Sequence, residues 1–348
     1  MNFRRILIRA TNWVGDAIMS LPALLAVRRR FPDARITLLA RPWVAGIYGA
    51  AVADDVVPYD APRGWRGTGD KLRLAGQLRA ERFDCAILLQ NAFEAAAIAY
   101  AARIPRRIGY GRDARGWLLT DPVPVPAPNE IPRHQCYYYL ELLRRAGILN
   151  DLPAVEAIRI PGAEARRDAG KLRFAELGFT GAVVGVSPGA AYGGAKRWLP
   201  ERFVESACEA ARALGAAVAV FGSGEEAALS EQVAALCRDR ATTARSFAGA
   251  TSIEEFVSLA AACAVFLTND SGAMHIASAL GVPTVAVFGA TDDIATGPTG
   301  ALARVVRESV ECSPCLLREC PIDHRCMTRV SAARVVDEAL DLVRIRGQ

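Results

Sequence analysis

The chain has 348 residues, of which 52% are hydrophobic and 23% charged, and its formal net charge is +5. This length is sufficient for two domains of ordinary size, each with its own core. No stretch approaches the ~18 unbroken apolar residues of a membrane span, and polar residues interrupt the start of the chain too soon for a signal peptide. The nine cysteines therefore indicate a reducing cytoplasm and not a disulfide scaffold.

The positive charge is concentrated in the first half of the chain. Residues 1–160 contain 23 Lys and Arg against 15 Asp and Glu, a net charge of +8, whereas the remainder has 19 against 22, a net charge of −3. The asymmetry indicates that the first half meets an anionic partner. From composition alone, a solvated basic face explains it equally well.

The first half alternates predicted strands and helices. A strand at 5–10 is followed by a polar loop with Gly15 and Asp16, and by a helix over 17–30 with Pro22 near its first turn. Further strands are predicted at 35–40, 54–59 and 85–89, and helices at 71–82 and 134–147. The stretch 104–112 continues the pattern with a cluster of positive charge, and 122–132 is an extended proline-rich segment without regular structure.

The second half repeats this architecture without an alignable repeat of sequence. It contains predicted helices at 163–177, 200–214, 227–237 and 253–262, strands at 182–187 and 216–221, and a glycine-rich loop at 188–198. A strand, a glycine-containing loop and a helix thus begin both halves. The pattern predicts an α/β protein of two Rossmann-like domains, 1–160 and 161–348, with a cleft between them.

The stretch 265–289 reads as strand, polar loop, helix and strand. Asn269 and Asp270 lie in its loop, and a helix over 273–280 follows. Backbone N–H groups of Ser271 and Gly272 at the start of that helix attract an anion. His275, one turn further on, can donate a proton to the same anion. We interpret this stretch as a phosphate-binding corner.

The glycine-rich loop is close to a P-loop in its spacing. Gly189 and Gly194 fit, but Lys196 comes one residue late and Arg197 stands where Ser or Thr would bind magnesium. An ATPase is therefore disfavoured. Because only 3 of the 42 basic residues are lysines, we interpret Lys196 as a point charge for a phosphate. A solvated loop lysine is the alternative.

Asp16 begins the first helix and has two interpretations. An aspartate there commonly caps the helix, at ~1 kcal/mol, and spacing alone favours that role. The functional alternative is a general base on a loop that faces the cleft. The three histidines, His134, His275 and His324, build no Ser-His-Asp or Cys-His pairing, and no Asp-x-Asp metal motif follows a strand.

A cysteine segment near the end of the chain holds Cys312, Cys315, Cys320 and Cys326, with His324 among them. A C-x₂-C pair with two more thiols nearby can hold zinc tetrahedrally. The spacing of the second pair is not that of a zinc ribbon. We therefore expect reduced, packed thiols, with a bound metal as the alternative. In either case we expect the segment to hold a loop in place far from the chemistry.

Four motifs together resemble the ADP-heptose:lipopolysaccharide heptosyltransferases, a family of inverting glycosyltransferases with the GT-B fold, in which two Rossmann-like domains face each other across a cleft. The motifs are Asn-Trp-Val-Gly-Asp-Ala at 12–17, Pro-Gly-Ala at 188–190 with Ala-Lys-Arg-Trp at 195–198, Thr-Asn-Asp-Ser-Gly-Ala-Met-His at 268–275, and the cysteine segment. Their order and spacing extend the resemblance over nearly the whole chain.

The resemblance implies transfer of L-glycero-D-manno-heptose from ADP-heptose to heptosyl-Kdo₂-lipid A. Asp16 would take the proton from the acceptor hydroxyl. Lys196, the amides of Ser271 and Gly272 and the ring of His275 would stabilise the departing diphosphate without a metal or other cofactor. Asp270 would accept bonds from backbone or ribose. Glu225, or almost as well Glu226, would contact the ribose.

Two kinds of alternative remain at this point. The first is a transferase that adds the preceding heptose, or one that uses another nucleotide sugar. The second is a non-catalytic module that binds a nucleotide sugar or a lipid. Profiling of donors and acceptors separates the transferases from one another, and loss of transfer on replacement of Asp16 separates an enzyme from a binding module.

The resemblance also gives the basic first half a partner. It would bind the phosphates and Kdo carboxylates of the acceptor, which places the protein peripherally on the cytoplasmic face of the inner membrane, with no nucleic acid involved. The predicted acceptor contacts are Arg63, Arg66, Arg106 and Arg107. Lys71, Arg73 and Arg112 would add to the attraction, at ~1 kcal/mol per charge near an anionic leaflet.

Overall fold

The computed structural model describes residues 2–61 and 67–347, and the chain divides into two compact units, Met1–Val155 and Glu156–Gln348. The division falls shortly before the predicted boundary after Ile160. Each unit contains a six-stranded parallel sheet flanked by helices. The predicted α/β class with two Rossmann-like domains is therefore confirmed.

The first unit alternates strands and helices almost throughout. Its strands are β1 (Arg5–Arg9), β2 (Arg35–Ala40), β3 (Asp55–Pro58), β4 (Cys85–Leu88), β5 (Arg106–Tyr110) and β6 (Asp121–Val123). Its α-helices are α1 (Val14–Met19), α2 (Leu21–Arg30), α3 (Pro42–Ala45), α4 (Thr68–Ala80), α5 (Phe93–Ala101) and α6 (Cys136–Arg145). The central strands β1 and β4 are almost wholly buried, as expected for strands covered on both faces.

Among the described residues, the second unit also has six strands, with two more α-helices than the first. Its strands are β7 (Val183–Ser187), β8 (Ala217–Val220), β9 (Ala244–Ser246), β10 (Val265–Asn269), β11 (Thr284–Phe288) and β12 (Ala303–Arg307). Its α-helices are α7 (Ala163–Glu176), α8 (Pro200–Leu214), α9 (Ala227–Asp239), α10 (Ile253–Ala262), α11 (Gly272–Ala279), α12 (Asp293–Thr296), α13 (Arg325–Thr328) and α14 (Ala332–Gly347). The side chains of β7, β10 and β11 are entirely buried.

The two sheets have the same topology. The first has the order β3-β2-β1-β4-β5-β6, and the second has β9-β8-β7-β10-β11-β12. In both, the strand order reverses between the first and fourth strands of the unit. The loops that leave those two strands turn to opposite sides of the sheet, and ligands of such folds bind in the crevice that opens there. This switch point lies between β1 and β4 in the first unit and between β7 and β10 in the second.

Two elements of the structure differ from the prediction, and in each case the difference involves a proline. The helix predicted over 17–30 is two helices, because Pro22 has no N–H to donate to the carbonyl of Ile18 and its ring would collide with that carbonyl. The proline-rich segment predicted to lack regular structure begins within the short strand β6. A proline is tolerated there because β6 is an edge strand. Within the ranges that the structure covers, no helix is both long and apolar enough to cross a bilayer.

Candidate active site

The switch point of the second sheet is built around one buried amide. Asn269, the last residue of β10, is fully buried, and its Nδ2 donates to the carbonyl of Pro188 at 2.7 Å. Its Oδ1 accepts from the backbone N–H of Trp198 at 2.9 Å. Because the two contacts lie at the two ends of the glycine-rich loop 188–198, Asn269 fixes the span of that loop.

Helix α11 begins directly beside this amide. Ser271 is its N-cap residue, but the Ser271 hydroxyl makes no capping bond and instead lies 3.2 Å from the hydroxyl of Thr268. The side chain of Ser271 therefore does not occupy the backbone donors of the first helical turn, where an anion is favoured. His275 lies buried in the same helix, one turn from its start.

Lys196 and Asp270 form a largely buried ion pair at this corner. The Lys196 Nζ lies 2.6 Å from Asp270 Oδ2, and the hydroxyl of Thr291 donates to the same oxygen at 2.5 Å. Nζ also lies 4.7 Å from the centre of the Tyr192 ring. The side-chain partners of Asp270 in the structure are thus Lys196 and Thr291, and a contact of Asp270 with the ribose stays a prediction. Asp270 therefore holds the ammonium next to the first residues of α11.

The cysteine segment contacts the glycine-rich loop, so the prediction that it lies far from the chemistry is wrong. The carbonyl of Arg318 accepts from the N–H of Ala195 at 2.9 Å, and Glu319 Oε1 accepts from the N–H of Gly194 at 2.9 Å. His324 Nε2 lies 3.0 Å from the Ala195 carbonyl. These bonds hold the turn immediately before Lys196.

The close approach explains a glycine in the loop. A Cβ at Gly193 would collide with the Arg318 carbonyl, and the φ of 154° at Gly193 is rare for other residues. The hydroxyl of Tyr192 donates to the carbonyl of Leu316 at 2.8 Å, which anchors the same turn from its other side.

The four thiols of the cysteine segment differ in exposure. Cys312 is exposed, Cys315 and Cys320 are half-buried, and Cys326 is buried against Gly289. Burial raises the pKa of the Cys326 thiol, and the neighbouring cysteines add to the effect. Among the residues that the structure describes, no three His, Cys, Asp or Glu side chains are arranged to hold a metal ion.

The switch point of the first sheet forms a pocket of ≈ 280 Å³. Residues 11–13 and Asp16, which follow β1, line one side, and residues 89–92, which follow β4, line another. Gln135 and Tyr139, at the start of α6, complete the lining. The pocket lies where the topology predicts a ligand.

Asp16 is the carboxylate of this pocket. It is not the N-cap of α1, since Trp13 holds that position, and its Oδ1 accepts from the Tyr139 hydroxyl at 3.0 Å. Burial raises the pKa of Asp16, and the bond from Tyr139 partly opposes that rise. A half-buried carboxylate with a raised pKa is a stronger base than one in water, which suits it to accept a proton.

Two buried arginines hold the loops that line the pocket, and the sequence reading missed both. Arg9 is 1% exposed and donates to Asn12 Oδ1 at 2.9 Å, and Arg115 is 0% exposed and donates to Asn91 Oδ1 at 3.2 Å. Burial lowers the pKa of each guanidinium to about 10. The one signal in the sequence is Arg9 itself, a charged residue directly after the three apolar residues of β1.

Comparison with known proteins identifies the family. Residues 71–325 match the family described as glycosyltransferase family 9 (heptosyltransferase). The chain belongs to this family.

Individual family members are similar along most of their length. The chain is 32% identical over 310 residues to lipopolysaccharide heptosyltransferase 2 of Salmonella typhimurium, which covers 87% of this chain and 88% of that protein. The structure of E. coli ADP-heptose LPS heptosyltransferase II superimposes with a TM-score of 0.82 at 27% identity, over 99% of this chain and 100% of that one. A family 9 glycosyltransferase of Veillonella parvula, at 22% identity, gives the same TM-score over 98% and 97%. The predicted GT-B class is thereby confirmed.

The structure brings most of the predicted donor-binding residues of this family 9 enzyme together. Lys196, Asp270, Ser271, Gly272 and His275 share one corner of the second unit. Glu225 lies exposed, whereas the carboxylate of Glu226 lies against Gly189, where a Cβ would collide with it. Glu226 also accepts from the N–H of Ser223 at 2.8 Å. Of the two glutamates, Glu226 is the one beside the glycine-rich loop.

The two predicted acceptor residues that the structure describes, Arg106 and Arg107, do not lie at the pocket. Arg106 and Arg107 begin β5, at the amino edge of the sheet, whereas the pocket lies at its carboxyl edge. Arg106 pairs with Asp121 at 2.7 Å, and Arg107 donates to the carbonyl of Leu118 at 2.7 Å. Arg63 and Arg66 lie outside the described residues. Acceptor contact by these four arginines stays a prediction.

The remaining basic residues named from the sequence already have acidic neighbours. Lys71 lies 2.9 Å from Glu94, Arg73 lies 2.9 Å from Asp70, and Arg112 lies 3.5 Å from Asp113. Glu94 also lies 3.8 Å from Arg41, the residue that follows β2. Arg41, Lys71 and Glu94 thus form a polar cluster. Because Arg41 follows β2 and Glu94 lies in α5, which follows β4, this cluster is at the carboxyl edge of the sheet, as the pocket is.

Replacement of Tyr139 by Phe tests the control of the Asp16 pKa. The bond from Tyr139 lowers that pKa, so its loss raises the pKa further. Because the base acts only when deprotonated, the acidic limb of the kcat–pH profile shifts to higher pH, while the rate well above both pKa values stays near wild type. Tyr137→Phe is the matched control, since Tyr137 lies in the same helix and bonds to Val155. An unshifted limb in Tyr139→Phe would contradict the assignment.

Replacement of Glu319 by Ala tests the role of the cysteine segment. Loss of the charged acceptor for Gly194 N–H loosens the turn before Lys196, and we expect ADP to bind about ten-fold more weakly, which corresponds to ~1.4 kcal/mol. Isothermal titration calorimetry measures the affinity. Glu311→Ala is the control, because Glu311 lies in the same segment but pairs with Arg325. Equal ADP affinity in both variants would show that the segment does not support the donor site.

Proposed function

We propose that this family 9 enzyme transfers L-glycero-D-manno-heptose from ADP-heptose to heptosyl-Kdo₂-lipid A with inversion of the anomeric carbon. The observation that carries the proposal is the Lys196–Asp270 pair at the start of α11, a corner suited to a diphosphate, in a chain that is 32% identical to a lipopolysaccharide heptosyltransferase 2 over most of its length.

The second unit binds the donor in this proposal. The diphosphate lies on the first N–H groups of α11, beside the ammonium of Lys196 and the ring of His275. As the bond from the anomeric carbon to the diphosphate breaks, negative charge grows on the leaving oxygen. Lys196, already oriented by Asp270 and Thr291, stabilises that charge without having to move.

The first unit supplies the base. Asp16 takes the proton of the acceptor hydroxyl as the oxygen attacks the anomeric carbon from the face opposite ADP, and inversion follows from that direction of attack. The hydrogen bond from Tyr139 fixes one carboxylate oxygen, which leaves the second oxygen for the substrate proton. The step balances. The acceptor hydroxyl loses its proton to Asp16 and forms the new bond to the anomeric carbon, and the diphosphate leaves with the electrons of the bond that breaks.

The proposed mechanism uses no divalent ion. The positive charge that a metal supplies to a leaving diphosphate in other transferases comes here from Lys196 and from the dipole of α11. Because these groups belong to the protein, transfer is expected to continue when a chelator removes free metal ions.

The ribose partner is Glu226 in this proposal, and not the predicted Glu225. Glu226 has one carboxylate oxygen engaged with Ser223 and lies against the glycine-rich loop, so its other oxygen can accept from a ribose hydroxyl. We expect Glu226→Gln to weaken ADP binding about five-fold, since a charged acceptor is replaced by a neutral one that still caps Ser223. Glu225→Gln serves as the control in the same calorimetric titration. A larger loss in Glu225→Gln would restore the original prediction.

Asp16→Asn tests the reaction itself. The amide keeps the shape of the side chain but cannot take the proton, so transfer should fall by at least about 100-fold while ADP affinity stays unchanged. The assay uses ADP-heptose and heptosyl-Kdo₂-lipid A in the presence of EDTA. Transfer that persists in the variant would exclude Asp16 as the base, and wild-type activity that disappears in EDTA would exclude a metal-independent mechanism. Absence of any transfer by the wild type would reject the function.

We also propose that the enzyme acts as a peripheral protein on the cytoplasmic face of the inner membrane. The support for this location is the lipid nature of the proposed acceptor, together with the net charge of +8 in residues 1–160.

A further inference from the structure

Three aromatic side chains of the first unit are exposed, and one of them, Trp117, lies close to the other two. Phe93 and Tyr100 lie on one face of α5, and Trp117 lies in the 3₁₀ turn Gly116–Leu118. The Trp117 ring centre is 6.3 Å from that of Phe93 and 6.3 Å from that of Tyr100. We call these three residues the aromatic patch.

The aromatic patch is not an extension of the core. The inner side of α5, with Ala95, Ala96, Ile98 and Ala99, is buried, whereas Trp117 is 71% exposed and Tyr100 51% exposed. Exposed apolar surface is unfavourable relative to buried apolar surface, and contiguous exposed patches mark interaction sites. Of the six exposed aromatic side chains in the described part of the chain, five lie in the first unit.

The patch is held rigidly and is tied to the pocket of Asp16. Arg115, which directly precedes the turn, and Leu118, its last residue, are both buried. Arg115 donates to the carbonyl of Gln90 and to Asn91 Oδ1, and both of these residues line the pocket. Whatever Trp117 contacts is therefore kept at a fixed distance from the carboxylate that deprotonates the acceptor.

Positive charge borders the patch. The guanidinium of Arg107 lies 5.3 Å from the centre of the Tyr100 ring, and Arg103 lies exposed just after α5. Aromatic rings with arginines beside them are the composition found at the interface of a bilayer, where the rings sit at headgroup level and the cations meet anionic lipid. A rigid, basic and aromatic surface fits a membrane better than it fits a small ligand, because the rings are exposed on α5 and the neighbouring turn and do not line the pocket.

We propose that the aromatic patch, with Arg103 and Arg107, is the surface by which the enzyme lies on an anionic bilayer. Arg107 then serves the membrane and not the acceptor pocket, in keeping with its place at the amino edge of the sheet. The inference rests on the proposed function only in that the acceptor is carried by a lipid. The membrane contact can be measured without the reaction.

The test uses the full-length protein and sedimentation with large unilamellar vesicles of phosphatidylglycerol and phosphatidylcholine. We expect the double variant Tyr100→Ser/Trp117→Ser to bind at least about ten-fold more weakly than the wild type. The conservative double variant Tyr100→Phe/Trp117→Tyr keeps the rings and should keep binding. Leu172→Ser is the matched control, because Leu172 is 68% exposed but lies in α7 of the second unit.

A second measurement separates the patch from the active site. The serine double variant should lose transfer to acceptor embedded in vesicles but keep wild-type transfer to a lipid-free, water-soluble acceptor. Equal vesicle binding by wild type and serine variant overturns the proposal, as does failure of the wild type to bind the anionic vesicles. A change in oligomeric state with unchanged vesicle binding overturns it too, and assigns the patch to contact between copies.

The proposed function fails by a different result. If the wild type transfers no heptose to the soluble acceptor, the assigned reaction is wrong, whereas vesicle sedimentation still decides the role of the patch. If transfer to the soluble acceptor proceeds and the wild type does not bind vesicles, the reaction stands and the patch proposal is rejected.

Discussion

The reversal of strand order in each sheet is the constraint on which the rest of the structure depends. At this point two adjacent strands send their loops to opposite sides, so the sheet cannot close over its own carboxyl edge. In the first unit the opening holds Asp16, and in the second it holds Lys196 beside the start of α11. Both halves of the proposed chemistry thus arise from one topological feature, used twice with different side chains.

An opening of this kind needs internal support, because the loops at its edges have no ladder of backbone hydrogen bonds. Buried side chains supply this support. Asn269 joins the two ends of the glycine-rich loop, while Arg9 and Arg115 each hold one loop of the first pocket. A buried amide or guanidinium is costly unless its bonds are made. Each of these residues therefore stabilises its loop in one conformation and penalises others, which is what a preorganised site requires.

The sequence predicted the elements that are encoded locally. Strands β1, β2, β7 and β11 contain apolar runs in the sequence, and the phosphate-binding corner is encoded as strand, polar loop and helix within the single stretch 265–289. What depends on contacts between distant residues was not predicted. Glu319 and Gly194 are 125 positions apart, and Tyr139 and Asp16 are 123 apart. No local pattern reports such pairs. The sequence therefore predicts neither the contact of the cysteine segment with the glycine-rich loop nor the hydrogen bond from Tyr139 to Asp16.

The Lys196–Asp270 pair gives a physical reason for a carboxylate in the proposed diphosphate site. A lysine in a flexible loop carries ~2 kcal/mol of side-chain conformational freedom that must be lost when it binds a phosphate. Asp270 and Thr291 remove much of that freedom before the ligand arrives, at the expense of part of the attraction between ammonium and anion. The helix dipole adds roughly half a positive charge at the same place. Since Asp270 precedes the N-cap of α11 directly, the residue that orients the lysine also fixes it at the helix end, and the two sources of positive charge act on one point.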